Sequence, residues 1–220
     1  MRDLGPVPAG LREDVDAVAA ETMGLASRHV RRVVAAVKEL GFIPAHAGVP
    51  VHAEPTDDDR REVVRLDREI GGLPAALRAC MAVVGEVSLM GDCAPLGLSY
   101  NHQECEVPGV YPDPLCLPGV DWLRQEWDQY TNDSGTSDEP LRFLFAPDQY
   151  QKANLSGDGQ SIVLPSLVAD PVIAGVDGRA GIRLVDYVRL TVTWGGFPGW
   201  SGVADKIPPA LHRLRATPDF

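Results

Sequence analysis

What the 220-residue chain has little of sets its first limits. No apolar run approaches the ~18–20 residues needed to cross a bilayer, so no membrane partner is expected. Residues 1–16, MRDLGPVPAGLREDVD, lack the apolar core of a secretory signal, and the expectation is a cytoplasmic protein. Four cysteines are too few for a disulfide-dense scaffold, and a reducing compartment would keep them as thiols. Basic charge is scarce as well: 20 Lys and Arg stand against 31 Asp and Glu, a net charge of −11.

The negative charge is concentrated. Residues 103–140 hold nine acids (Glu104, Glu106, Asp113, Asp121, Glu126, Asp128, Asp133, Asp138, Glu139) and one base, Arg124, a net of −8. A phosphate backbone is repelled by such a stretch, which argues against direct contact with nucleic acid. A basic protein is attracted and steered. The plainer use of the same acids is solubility.

Catalytic patterns are also missing. Residues 97–101, GLSYN, fail the nucleophile-elbow pattern at the last position. The glycine-rich runs 156–159 and 195–199 lack the Gly-Lys-Ser/Thr of a phosphate-binding loop. The five histidines are dispersed. Cys93, His102, Cys105 and Cys116 could ligate zinc, but only His102-x-x-Cys105 has the tight pairing of a structural site. Asp148, Lys152 and Asn154 could do acid–base work only in a cleft that shifts their pKa values; the simpler reading is a hydrogen-bond network holding a loop. No catalytic residue, cofactor or metal is assigned.

In chain order, residues 11–22 and 27–40 are predicted as two helices. Ser27 caps the second, and Val30, Val33, Val34 and Val37 form its apolar face. Arg28, Arg31, Arg32 and Lys38 lie off that face. Residues 42–55, with three prolines, read as an extended connector, so residues 1–55 form an arm and 56–220 the main body. Thr56 opens the next helix with Asp57, Asp58 and Asp59 at its positive end, Val63, Leu66 and Ile70 as its stripe and Gly71-Gly72 as its stop. Pro74 starts another, with Leu77, Cys80, Met81 and Val84 on one face and Gly85 as terminator. Short strands are expected at 87–89 and 115–117.

Residues 119–130 are predicted helical, with Val120, Leu123, Trp127 and Tyr130 inward and Trp122 off the stripe. Trp122 with Asp121, Glu126, Asp128, Asp133, Asp138 and Glu139 has the make-up of a protein-binding surface, because aromatics dominate binding energy. It is equally the make-up of a helix face covered by the preceding loop. Leu141, Phe143 and Phe145 alternate as a strand that Pro147 stops, and residues 161–164 return antiparallel after Gly157-Asp-Gly159. Residues 182–194 are predicted as a helix ended by Gly195-Gly196, and 209–214 as a last short helix.

The run Ala146-Pro-Asp-Gln-Tyr-Gln-Lys-Ala-Asn-Leu-Ser-Gly157, a strand ending in Leu164-Pro165, Val185-Asp-Tyr-Val-Arg189 and Trp194-Gly-Gly-Phe-Pro-Gly199 together resemble the SUKH superfamily, whose founder is a yeast cell-wall synthesis regulator. Leu73-Pro74, Val84-Gly85, Leu89-x-Gly91 and Asp113-Pro-Leu115 fit the same order, from about residue 67 to the C-terminus. The resemblance implies an α+β fold: a mixed or antiparallel sheet of about five to six strands flanked by helices, here with an N-terminal helical extension. It also implies a non-enzymatic protein, of the kind in which many bacterial members bind and block a cognate polymorphic toxin, often a nuclease; monomer and dimer are both left open for this chain. Pro147, Asp148, Lys152, Asn154, Gly157, Trp194, Gly195, Gly196, Phe197, Pro198 and Gly199 are then read as maintaining the fold. The alternatives are a regulatory or scaffold module using the basic helix at 28–38, and a metal-dependent hydrolase.

Overall fold

The computed structural model describes residues 5–100, 111–133 and 139–220, which form a mixed α and β architecture. After a 3-10 turn at Ala9–Leu11, helix α1 runs unbroken from Arg12 to Glu39. The expected break before Ser27 does not occur. Gly24 inside a helix costs about 1 kcal/mol. The stripe Met23, Ala26, Val30, Val33, Val34 and Val37 is buried, and each Val or Met buried stabilises by about 1.5–3 kcal/mol, so burial wins. Ser27 is therefore not a cap; it is buried mid-helix, and its hydroxyl has no hydrogen-bond partner.

Segment 42–55 is likewise more than a connector. It supplies strands β1 (Ile43–Pro44) and β2 (His52–Ala53). Helix α2 (Asp57–Ile70) opens on Thr56, whose hydroxyl accepts from the Asp59 N–H while the Asp59 carboxylate accepts from the Thr56 N–H, satisfying two otherwise unpaired donors. It ends at Gly71 in the left-handed conformation. Helix α3 (Ala75–Ala79) follows Pro74 and continues as a π-helical turn, Cys80–Val84; Leu77, Cys80, Met81 and Val84 are all buried.

Then come β3 (Glu86–Ser88), β4 (Gly91–Asp92), β5 (Cys116–Leu117), helix α4 (Val120–Asp133), strands β6 (Leu141–Pro147) and β7 (Gly159–Leu164), and helices α5 (Leu184–Thr193) and α6 (Leu211–Leu214). The seven strands do not form the expected single sheet of five to six. Among the described residues they make three antiparallel sheets: β1–β4, β2–β3–β5 and the β6–β7 hairpin. Proline limits the short strands: Pro44 lies within β1 and Pro118 directly follows β5, and neither can donate to a ladder.

Helix α1 lies on α3 and its π turn and touches α5, while α2 lies against α4. One hydrophobic cluster joins them all, so residues of the expected arm share a core with Phe143, Phe145, Tyr187, Phe197 and Trp200. None of the described helices is long and apolar enough to cross a membrane.

Candidate functional site

The β6–β7 hairpin positions the first group of residues. It is longer at its loop end than alternation predicts, because Pro147 pairs with Gly159 across a bulge between Leu144 and Ala146. The loop beyond is built on Asp148. Its Oδ1 accepts from the N–H groups of Tyr150 (3.0 Å) and Gln151 (2.8 Å), and its Oδ2 from that of Asp158 (2.6 Å). Gly157 is needed there, since a Cβ would stand 2.3 Å from Asp148 Oδ1. Asn154 takes the left-handed conformation that ends the 3-10 turn Gln151–Ala153.

That turn drives Lys152 inward, away from Asp148 and Asn154. Its ammonium is fully buried, 2.6 Å from Asp113 Oδ1 and 3.1 Å from the Tyr187 hydroxyl. Burial works against the charge, but the Tyr187 oxygen and the Asp113 carboxylate outweigh it and hold the ammonium protonated well above the usual lysine range. Burial first of all pushes the Tyr187 hydroxyl up in turn. A lysine kept charged and sealed from solvent offers no proton to a substrate; it ties the hairpin loop to α5 and to the segment before β5. Sequence reading missed its partner: Asp113, counted in the acidic stretch 103–140, is buried.

The Trp194–Gly199 run closes the same region from the other side. Trp194 is stacked under the Arg215 guanidinium at 4.3 Å, and Gly195 and Gly196 follow α5 with positive φ. Gly196 O accepts from the Leu115 N–H at 2.8 Å. Phe197 and Pro198 are buried, and a Cβ on Gly199 would overlap Tyr111 O.

The predicted binding surface lies on α4. Val120 and Leu123 are buried, and Trp127 and Tyr130 stack on each other at 5.5 Å, half-buried. Asp121, Asp128, Asp133 and Glu139 are exposed and Glu126 half-exposed; Asp138 lies outside the described residues. Trp122 is 38% exposed, yet its indole N–H donates to Leu144 O at 2.8 Å, so the ring is pinned over β6 with a face to solvent. Arg124, the one base of this stretch, turns to α2: it donates to Glu62 at 2.6 Å and Glu69 at 2.7 Å, and also reaches Asp128 at 3.3 Å. Burial opposes its charge, but Glu69, Glu62 and Asp128 outweigh that and raise its pKa, while the bond from Arg124 lowers that of Glu69. Comparison with family models, with curated proteins and with solved structures finds no match to this chain.

The basic side chains of α1 are partly engaged, Arg31 with Glu54 at 2.9 Å and Arg32 with Leu214 O at 2.8 Å. Among the described residues no three His, Cys, Asp or Glu side chains form a metal-sized group. Cys93 Sγ donates to Leu40 O, Cys116 is buried, and His102 and Cys105 lie outside the described residues.

Proposed function

We propose that the chain is a non-enzymatic binding protein of the SUKH-like immunity type, which holds a basic partner protein, a toxin, on the outer face of α4. One observation carries the reading: an exposed aromatic fixed by its own hydrogen bond stands among exposed acids, with the local arginine turned chiefly to Glu62 and Glu69 of α2 and pairing with one acid of that helix, Asp128. A pinned ring loses little freedom on docking, and aromatics in desolvated interface centres supply most of the affinity. The surrounding carboxylates speed the encounter and set partner sign.

The test is titration against the protein encoded by the adjacent reading frame. Association should slow as salt rises. Asp121→Lys with Asp133→Lys should cut the association rate about tenfold at low ionic strength, and Trp122→Ala should accelerate dissociation by an amount worth about 2 kcal/mol or more. Absent binding, or binding indifferent to salt and to both changes, refutes the proposal.

A further inference from the structure

The hairpin beside α4 turns apolar side chains outward as well as inward. Alternation sends Leu141, Phe143, Ile162 and Leu164 into the core, so Arg142, Leu144, Ser161 and Val163 point the other way. Register fixes their neighbours. Arg142 stands directly opposite Val163 and Leu144 opposite Ser161, and such pairs hold their Cβ atoms about 4.5–5.5 Å apart. Leu144 lies across Gly159, where a Cβ would come within 1.8 Å of its Cδ1.

The face is wider than the hairpin. Ser161 exchanges both backbone hydrogen bonds with Ala174, at 2.9 and 3.0 Å, which sets residues 172–174 beside β7 as a third extended segment. There Ile173 is buried while Val172 and Ala174 are exposed, the same alternation. On the opposite edge Leu144 O accepts the Trp122 indole N–H at 2.8 Å. Trp122, β6, β7 and segment 172–174 therefore follow one another across the face, the extended segments about 4.8 Å apart. Along that line Trp122 is 38% exposed, Val163 46% and Val172 42%, and Leu144 is half-buried. Arg142 is exposed beside Val163 and makes no hydrogen bond or ion pair among the described residues. Arg183, opposite Val172, spends its guanidinium on Asp170 O at 2.6 Å.

We propose that this outward face is the apolar centre of the partner-binding surface, where Val163 and Val172 bury against apolar side chains of the basic partner and Arg142 meets a carboxylate; the inference rests on the reading of α4 given above. Trp122 belongs to both surfaces, so the hairpin face is continuous with the acids of α4. Glu126 lies one turn on from Trp122 on the same side of the helix, and Asp121 is exposed next to it. Supplied by α4 alone, the interface would be one ring among charges, whereas specific interfaces have an apolar middle inside a polar rim. The rim selects the occupant. A second copy of this chain, with its net charge of −11, would meet those acids with the same sign, and a basic protein meets them with the opposite one. Desolvating the Arg142 guanidinium without a counter-charge is costly, so the partner carries one acid at that point.

Calorimetric titration of the full chain against the protein encoded by the adjacent reading frame tests the assignment, with Val163→Glu as the deciding variant. It adds an acid, so attraction to a basic partner alone makes binding equal or tighter; loss of the apolar centre makes it about tenfold or more weaker, which is the result expected. Val172→Glu should weaken binding similarly, and it does so without touching β7. Arg142→Gln should weaken it about threefold or more. Val18→Glu, the same change at an exposed position of α1, should leave the Kd unchanged. All four should unfold at the urea midpoint of wild type, because each site is exposed. Full affinity in Val163→Glu and Val172→Glu overturns the inference and leaves the α4 reading standing, and equal weakening by Val18→Glu does the same. No binding by wild type overturns both. Sedimentation of the chain alone decides the remaining alternative: a dimer that Val163→Glu dissolves makes the face a contact between copies and overturns the proposal.

Discussion

Removing the Asp113 charge is the sharpest test of how the hairpin loop is held. Asp113→Asn preserves the backbone, since φ is 50° at this position and asparagine tolerates the left-handed region. It leaves Lys152, with no side-chain exposure, facing an amide oxygen and the Tyr187 hydroxyl. Breaking a buried pair this way costs about 3–5 kcal/mol. An independent ceiling agrees: surrendering the lysine proton at pH 7, from an ordinary pKa near 10.4, costs about 5 kcal/mol. For 220 residues the unfolding entropy is about 0.46 kcal/mol/K, so the melting temperature should fall by about 7–11 °C. In the wild type the folded-state pKa of Lys152 is raised, so its contribution is present below about pH 10.5 and is lost only as pH climbs through the folded value. In Asp113→Asn the sign reverses. The folded state now holds the proton less firmly than the unfolded one, so the deficit should shrink between about pH 7 and pH 10, by up to ~1.4 kcal/mol per unit. Urea titrations followed by tryptophan fluorescence, repeated across that range, read both effects. Adding Lys152→Met should restore more than half of the loss, because it removes the stranded cation. A deficit under about 1 kcal/mol at pH 7, or a double variant as unstable as the two losses added, would falsify the account.

Three more outcomes follow from single sites. Ser27→Ala should stabilise the fold by about 1 kcal/mol in urea titration, since it removes an unpaired buried hydroxyl and improves helix propensity; a loss of stability contradicts the placement of Ser27 inside α1. Burial pushes the Asp170 carboxyl up to about 6, against the bond it accepts from the Val185 N–H at the start of α5. The folded state binds that proton more tightly, so stability falls as pH rises from about 4 to 6. Asp170→Asn should gain on wild type by roughly 3 kcal/mol over that interval, and a pH-independent difference rejects the assignment. Burial also pushes the Cys80 thiol up to about 12 and that of Cys116 up to about 11, so alkylation at pH 8 should spare both in the folded protein and modify both in urea, as read by peptide mass spectrometry.

Elements with a long apolar period were legible from residue types alone. Thr56-x-x-Asp59 with Val63, Leu66 and Ile70 contains its own start signal, stripe and stop, and α2 obeys all three. The faces of α3 with its π turn and of α4 were equally plain. Two-residue strands such as Ile43–Pro44 and His52–Ala53 carry no period at all. They exist because Gly91–Asp92 and Glu86–Ser88 offer edges to them, a relation between segments some 30 to 50 residues apart. The unity of α1 was hidden for a different reason: Gly24 and Ser27 are local signals for a break, and only tertiary burial of the valine stripe overrides them.

The same distinction explains the sites. The acidic face of α4 is written in consecutive residues and could be read directly, whereas Lys152 stood between two polar neighbours that suggested themselves as partners and bonds instead to Asp113, 39 positions away. Gln160 offered a subtler clue. Begin β7 at Ser161 and the glutamine belongs to a polar loop, where it means nothing. Begin it at Gly159, as the pairing with Pro147 requires, and the period of two places Gln160 on the same side as Ile162 and Leu164. A polar residue at an inward position of an alternating strand is an energetic anomaly, and here its amide oxygen remains unpaired within the protein. Lys152 shows how this chain treats such a group when the purpose is structural: it gives the ammonium both a carboxylate and a hydroxyl. Gln160, on the same side as Ile162 and Leu164, is denied that treatment, and the contrast between the two residues separates a buried polar group that is fully paired from one that is not.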